Sequence, residues 1–317
     1  MNTEPAPPHA DIVDVPGNPR PHGAQAIWFK SARDRRLRAC VCPALPGVSP
    51  RGTVIVSPGR TEFIEKYFEV ARDLQKRSFA VLILDWPGQG LSERLLSNAR
   101  KGHIDNFETF MNALARGLDR LGEQLPRPYV SLSHSMGGAI SLAAILEKKV
   151  EVAAAAFCAP MWGIRTPIRG MRYLVWAMRV MGRGKTFAQR DHKPETFERN
   201  LVTHDRRRWE IHDALIRAQP DLGLGPVTWG WLGAAIDIMD AFVRDERLRT
   251  LDIPVFVASA ERERIVENDR HDRVVALLPD VEHITVAGAY HEILMETDER
   301  RAVFWKGFDR LLERAGI

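Results

Sequence analysis

The stretch Val130-Ser131-Leu132-Ser133-His134-Ser135-Met136-Gly137-Gly138-Ala139-Ile140 limits this chain more than any other part of it. A β-prone run enters a knot of small residues, a serine stands at the apex, and a small-residue helical start leads away. A serine held on so sharp a strand-to-helix turn needs small neighbours two positions before and two after it, because the backbone there is strained. Gly137 meets the second demand and Ser133 the first, so the motif is S-x-S-x-G rather than G-x-S-x-G. Ser135 is the candidate nucleophile. A helix N-terminus with a serine cap and a glycine pair is the other reading of the same residues.

A serine nucleophile needs a histidine to take its proton and an acid to orient the histidine, each carried past the end of a further strand. Ile253 to Ser259 reads as a buried strand and runs into Ala260-Glu261-Arg262-Glu263-Arg264-Ile265-Val266-Glu267, which offers Glu261, Glu263 and Glu267. His283 to Ala287 reads as a last strand, with His291 on the loop beyond. The order is serine, acid, histidine.

Short β-prone runs at 26–30, 36–42, 53–57, 79–85, 129–134, 152–158, 253–259 and 282–287 alternate, after the first pair, with helical patterns. Such alternation predicts a mostly parallel sheet with helices on both faces and the first pair at an edge. The ligand site is then expected beyond the carboxyl ends of the strands. From Met161 to Thr250 runs an insert far longer than a connection needs, read as a helical lid or cap. Its segment Arg169–Met181 reads either as an amphipathic surface for acyl chains or membrane, or as a helix burying its methionines and aromatics. The buried reading is preferred for most of these residues.

With 45 basic against 41 acidic residues among 317, the net charge of +4 argues against a dedicated nucleic-acid binder. Cys40, Cys42 and Cys158 provide neither a disulfide framework nor a zinc site. His204 and His212, beside Asp205 and Asp213, match no strong ligand spacing, so no metal and no cofactor is expected. His103 is expected to be structural and His134 to point away from the active face. Residues 1–24, rich in proline, read as a disordered tail without the features of a secretory signal. No run is long enough to span a membrane. A cytoplasmic protein, in peripheral contact with the inner membrane, is the expected placement.

The sequence resembles the α/β-hydrolases, and among them the bacterial lysophospholipases related to monoacylglycerol lipases. Besides the serine turn, Ser57-Pro58-Gly59-Arg60-Thr61-Glu62 resembles the loop after the third strand, and Asp85-Trp86-Pro87-Gly88-Gln89-Gly90-Leu91-Ser92 the D-x-x-G-x-G-x-S turn. Lys101-Gly102-His103, Glu261 to Val266 and Gly288 to Leu294 complete the set. The resemblance implies an α/β-hydrolase fold: an eight-stranded, mostly parallel sheet built from residues 25–160 and 251–317, with a helical cap at 161–250. It implies Ser135 as nucleophile, His291 as base and Glu263, where most relatives carry aspartate, as the orienting acid. The backbone N–H groups of Arg60 and Met136 would form the oxyanion hole, although relatives usually have His-Gly in place of Pro58-Gly59. Cap residues near Trp162 and Trp176 are the candidate substrate contacts. The implied activity is hydrolysis of a lipid carboxylic ester, a lysophospholipid or a monoacylglycerol, through an acyl-enzyme. Another esterase, a thioesterase, a peptidase or a non-catalytic binding protein on the same scaffold are the alternatives.

Overall fold

The computed structural model describes residues 8–31, 33–165, 170–189 and 196–317. Eight strands form one sheet: β1 (Gln25–Lys30), β2 (Arg36–Cys42), β3 (Gly52–Ser57), β4 (Phe79–Leu84), β5 (Tyr129–His134), β6 (Ala154–Cys158), β7 (Val255–Ala260) and β8 (Val281–Val286). Their order is β1-β2-β4-β3-β5-β6-β7-β8. β1 and β2 are antiparallel to their neighbours and all other pairs are parallel. The central strands GTVIVS and FAVLIL are buried throughout, because helices cover both faces and leave no side of the strand for water.

The pleat divides the core. Val255 and Val257 of β7 join Phe110, Met111, Leu114 and Ile140 on one face, contributed by α2 (Glu108–Leu121) and α3 (Met136–Leu146). Phe256 and Ala258 join Phe68, Leu74, Phe304 and Phe308 on the other, contributed by α1 (Phe68–Gln75) and the C-terminal helix Asp298–Arg314. The insert supplies α4 (Met171–Val180), α5 (Arg206–Ala218) and α6 (Trp229–Phe242) over the carboxyl ends of the strands. α7 (Asn268–Val275) and α8 (Asp298–Arg314) follow it.

Two expectations need correction. Residues 8–24 are not a free tail: Trp28 N donates to Pro8 O and Ala10 N to Ala26 O, both at 2.8 Å, so the segment pairs along the open edge of β1. Proline removes donors but leaves carbonyls, and an edge strand accepts such a chain. Residues 1–7 lie outside the described residues. The aromatic stripe of α4 is also not buried. Val175 is the buried residue of this helix, whereas Tyr173 and Trp176 are 72% and 65% exposed.

The N-terminal segment closes over a charged group that the sequence did not suggest. Arg38 of β2, wholly buried, donates from both Nη atoms to Glu65 and from Nε to Asp85, each at 2.8 Å. Val13 N donates to Glu65 Oε1 at 3.1 Å and Arg38 Nη1 to Asp11 O at 3.0 Å. Asp85 also accepts from the amides of Ile64 and Leu91, which fixes the two loops on either side of it. Removing the cation strands two buried carboxylates, so Arg38→Met is expected to cost about 3–5 kcal/mol, read as a lowered urea midpoint.

Candidate active site

β5 delivers the candidate nucleophile. Ser135 sits between β5 and α3 with φ 50° and ψ −119°, a left-handed conformation that a side chain tolerates only where the surroundings impose it. A Cβ at Gly137 would lie 2.0 Å from Ser57 O, so only glycine lets α3 start this close to β3. Ser133, in the place of the usual glycine, is fully buried and its Oγ is 2.9 Å from that of Ser131, so the hydroxyl has a partner and its bulk is accommodated.

The three residues expected to cooperate come together from three loops. Ser135 Oγ lies 2.9 Å from His291 Nε2, and His291 Nδ1 lies 2.7 Å from Glu263 Oε2. All three are buried, at 8%, 4% and 3% exposure. Glu263 Oε1 accepts from the amides of Arg264, Ile265 and Val266, at 2.9, 2.7 and 3.2 Å, in the turn after β7. Burial alone would raise the Glu263 pKa, but the hydrogen bond and charge of His291 and the amides of Ile265 and Val266 bring it down to about 2. Glu261 is exposed and accepts from Gly288 N, and Glu267 precedes α7, so neither faces His291.

The expected oxyanion donors flank the serine. Met136 is the first residue of α3, where an N–H has no partner within the helix, and Arg60 follows Gly59 on the loop after β3. Among the described residues neither amide has a protein acceptor. The Gly59 amide donates to Glu62 Oε2, which also accepts from Tyr67 Oη at 2.6 Å. Lys66 Nζ then bridges Glu62 Oε1 at 2.8 Å and Glu292 Oε1 at 2.6 Å. A buried ammonium thus ties the Arg60 loop to the loop that carries His291. Burial lowers the Lys66 pKa, but Glu292 and Glu62 outweigh it and lift it to about 12.

His134 corrects another expectation. Along β5 it shares a face with Val130 and Leu132, and at the strand's end it lines one cavity with Gly59–Glu62 and His291. Its ring centroid is 4.8 Å from that of His291, and Nδ1 lies 3.0 Å from Cys158 O. Burial lowers its pKa. Ligand atoms of Glu62, His134 and Glu292 lie within 4.8 Å of one another, yet Lys66 already supplies the cation between the carboxylates. His204 and His212 do not meet: His204 pairs with Glu296 at 2.7 Å, while His212 stacks on Phe63 at 5.3 Å between centroids. His103 holds the cap to the core through Thr228 Oγ1, at 2.8 Å.

A cavity of about 310 Å³ opens over Ser135. Met161, Ile164, Val202, Val227, Trp231, Leu232, Ile265 and Val266 make its apolar wall, and Arg60, Glu62, His134, Arg165 and Glu292 are its charged or titratable lining beside His291. Of the residues near Trp162 and Trp176, Met161 and Ile164 line the cavity, while the two tryptophans themselves lie elsewhere. Trp162 is wholly buried against Phe157 and His271, with centroids 5.1 and 5.7 Å away, and Trp176 lines a separate outer groove between α4 and α6. The tryptophan of the cavity is Trp231.

Comparison with known proteins places this geometry. A family model described as serine aminopeptidase, S33, matches residues 48–298, which include all three loops. The chain belongs to this family of α/β-hydrolases. It is 34% identical over 274 residues to lysophospholipase L2 of Escherichia coli strain K12, covering 79% of this chain and 77% of that protein. It is 26% identical to the probable lysophospholipase L2 of Haemophilus influenzae over 84% of this chain and 85% of that one. The structure of a soluble variant of monoglyceride lipase from Saccharomyces cerevisiae has the same fold, with a TM-score of 0.70 at 15% identity over 90% of this chain and 93% of that chain.

Proposed function

We propose that this protein is a serine hydrolase that frees a fatty acid from a lipid ester with one acyl chain, a lysophospholipid or a monoacylglycerol. The unbroken chain of hydrogen bonds from Ser135 through His291 to Glu263 carries this reading. Its order is the one that acyl transfer needs: Ser135 Oγ attacks the ester carbon while His291 Nε2 takes its proton, and Glu263 holds the proton on Nδ1. The amides of Arg60 and Met136 receive the charge that develops on the carbonyl oxygen. His291 then returns the proton to the leaving alcohol, and water, activated the same way, resolves the acyl-enzyme. The apolar cavity wall suits one acyl chain, and the names of the lysophospholipase and monoglyceride lipase relatives agree with that choice.

A peptidase that selects a free amino terminus would need an unpaired carboxylate in the cavity. Glu62 and Glu292, the two at hand, are both bound by Lys66, which disfavours that alternative.

Lys66 is a positioning residue in this scheme, since it joins the oxyanion loop to the histidine loop. Lys66→Met is expected to lower kcat by about 10–100-fold with little change in KM, because a misplaced oxyanion donor costs the transition state and not the acyl-chain contacts.

Peripheral contact with a lipid surface is the further part of the proposal. Among the described residues no helix is long and apolar enough to cross a membrane. α4 instead presents Tyr173, Trp176 and Val180 outward, beside Arg172 and Arg179 that pair with Asp240 and Asp237 of α6, an exposed apolar face that can seat a helix in an interface. The double variant Tyr173→Ser, Trp176→Ser should cosediment less with anionic phospholipid vesicles than the parent.

The decisive assay measures fatty acid released from lysophosphatidylcholine and from monoacylglycerol, with Ser135→Ala as the blank. Release that depends on Ser135 supports the proposal. No release from either lipid, with Ser135 unreactive towards a fluorophosphonate, overturns it.

A further inference from the structure

Among the described residues, the two carboxylates lining the catalytic cavity are paired with Lys66, and its two arginines have no carboxylate partner. Glu62 and Glu292 share Lys66, and Glu263 faces His291. Arg60 has no carboxylate within ion-pair distance among the described residues. Its Nη2 donates to Gly225 O, its guanidinium lies 5.6 Å from the centre of the Trp231 ring, and Nε is buried with no partner. Nη1 has no protein acceptor either among the described residues. Burial lowers the Arg60 pKa to about 10, which still leaves it charged at neutral pH. Arg165 stands at the rim, fixed by the antiparallel bridge of Ile164 to Val266 and by its own N–H to Ile265 O at 3.0 Å, and it too lacks a carboxylate partner among the described residues.

A guanidinium with a buried Nε that has no partner, and with no carboxylate beside it among the described residues, is costly unless an anion arrives with the ligand. Its position indicates which part of the ligand carries that anion. Arg60 lines the same cavity as Ser135, and its guanidinium lies at the wall beside Gly225 and Trp231. The apolar wall takes the acyl chain. A phosphate on the alcohol portion of the substrate meets Arg60, with Arg165 at its outer oxygens.

We infer that Arg60, assisted by Arg165, binds the phosphate of a phosphorylated glycerol headgroup, and so makes a lysophospholipid the preferred substrate over a neutral monoacylglycerol. This rests on the lipid-ester reading above and goes beyond it by naming the group that discriminates. Arg60 thereby has two separate parts in the site, its amide toward the oxyanion and its guanidinium toward the headgroup.

The test is direct binding, which does not depend on turnover. Octyl-glycerol phosphate and octyl-glycerol, both ethers that no esterase can cleave, are titrated calorimetrically into the full chain below their micellar concentrations. The phosphorylated ether is expected to bind about tenfold more tightly, the contribution of a hydrogen bond to a charged group. In Arg60→Gln that ratio should fall towards one, and in Arg165→Gln, at the exposed rim, by a few-fold. Circular dichroism and the retained affinity for octyl-glycerol check that each variant is folded. Equal affinity of the parent protein for the two ethers overturns the inference, as does an unchanged ratio in a folded Arg60→Gln. Competition by inorganic phosphate at the same concentrations as the phosphorylated ether also overturns it, because the site would then serve the free anion. None of these outcomes bears on whether Ser135 releases fatty acid, which the hydrolysis assay decides by itself.

Discussion

Ser135→Ala lowers kcat by about 10⁴–10⁶-fold, equivalent to about 5–8 kcal/mol of lost transition-state stabilisation, and abolishes labelling by a fluorophosphonate. Stability should scarcely change. Serine and alanine carry the same Cβ into the left-handed conformation at φ 50°, so the strain of the turn is common to both. The lost hydroxyl is bonded to His291 and to no part of the core. His291→Ala should lose activity to a similar degree, and the double variant should be no worse than either alone, because proton removal and attack are one event that both residues must perform. Losses that multiply in the double variant would mean that the two side chains act in separate steps, contrary to the proposed mechanism. Full activity in either single variant would place the nucleophile elsewhere.

The serine turn was readable because its demands are local. A strand, two small residues at fixed offsets and a helix start lie within eleven consecutive residues, and Gly137 has no alternative when its Cβ would meet Ser57 O at 2.0 Å. The strands of the sheet were readable for a related reason, since parallel strands covered on both faces become short unbroken apolar runs such as FAVLIL. The resemblance to relatives, not residue spacing, singled out Glu263 from Glu261 and Glu267. Their side chains differ only in which way a short loop turns them.

What stayed hidden depends on contacts between distant segments. Arg38, Glu65 and Asp85 belong to separate elements, and nothing in RLRACVC marks one arginine as the buried one. The Lys66 bridge to Glu292 spans 226 positions. His134 was misjudged because strand alternation says which face a side chain takes but not what covers that face at the strand's end. The stripe of α4 was misjudged because the same amphipathic pattern serves a buried helix or one turned outward, and only packing through Val175 against α6 decides between them.

Glu263→Gln should reduce kcat by about 10⁴-fold, although the side chain is nearly isosteric. The reason lies in the three amides that hold one carboxylate oxygen. Those of Arg264, Ile265 and Val266 all donate to Oε1, so a glutamine must keep its carbonyl oxygen there and turn its NH₂ toward His291 Nδ1. That donor forces the neutral imidazole to carry its proton on Nε2, where it can no longer accept one from Ser135. Glu263→Asp keeps the charge but withdraws it by one methylene from a 2.7 Å contact, and should lose about 10–100-fold. Glu261→Gln should be nearly silent, because Glu261 is exposed and only meets the Gly288 amide. Acid titration separates the glutamine's effect on the tautomer from a general loss of folding. The folded-state pKa of Glu263, about 2, lies below the ordinary 4.5, so the ionised carboxylate stabilises the protein fully above 4.5 and that contribution is lost as the pH falls towards 2. The stability difference between parent and glutamine variant should therefore be constant near neutral pH and shrink on acidification, while the kcat deficit is present already at neutral pH. A variant that kept most of its kcat there would show that Glu263 holds the loop without setting the histidine's tautomer.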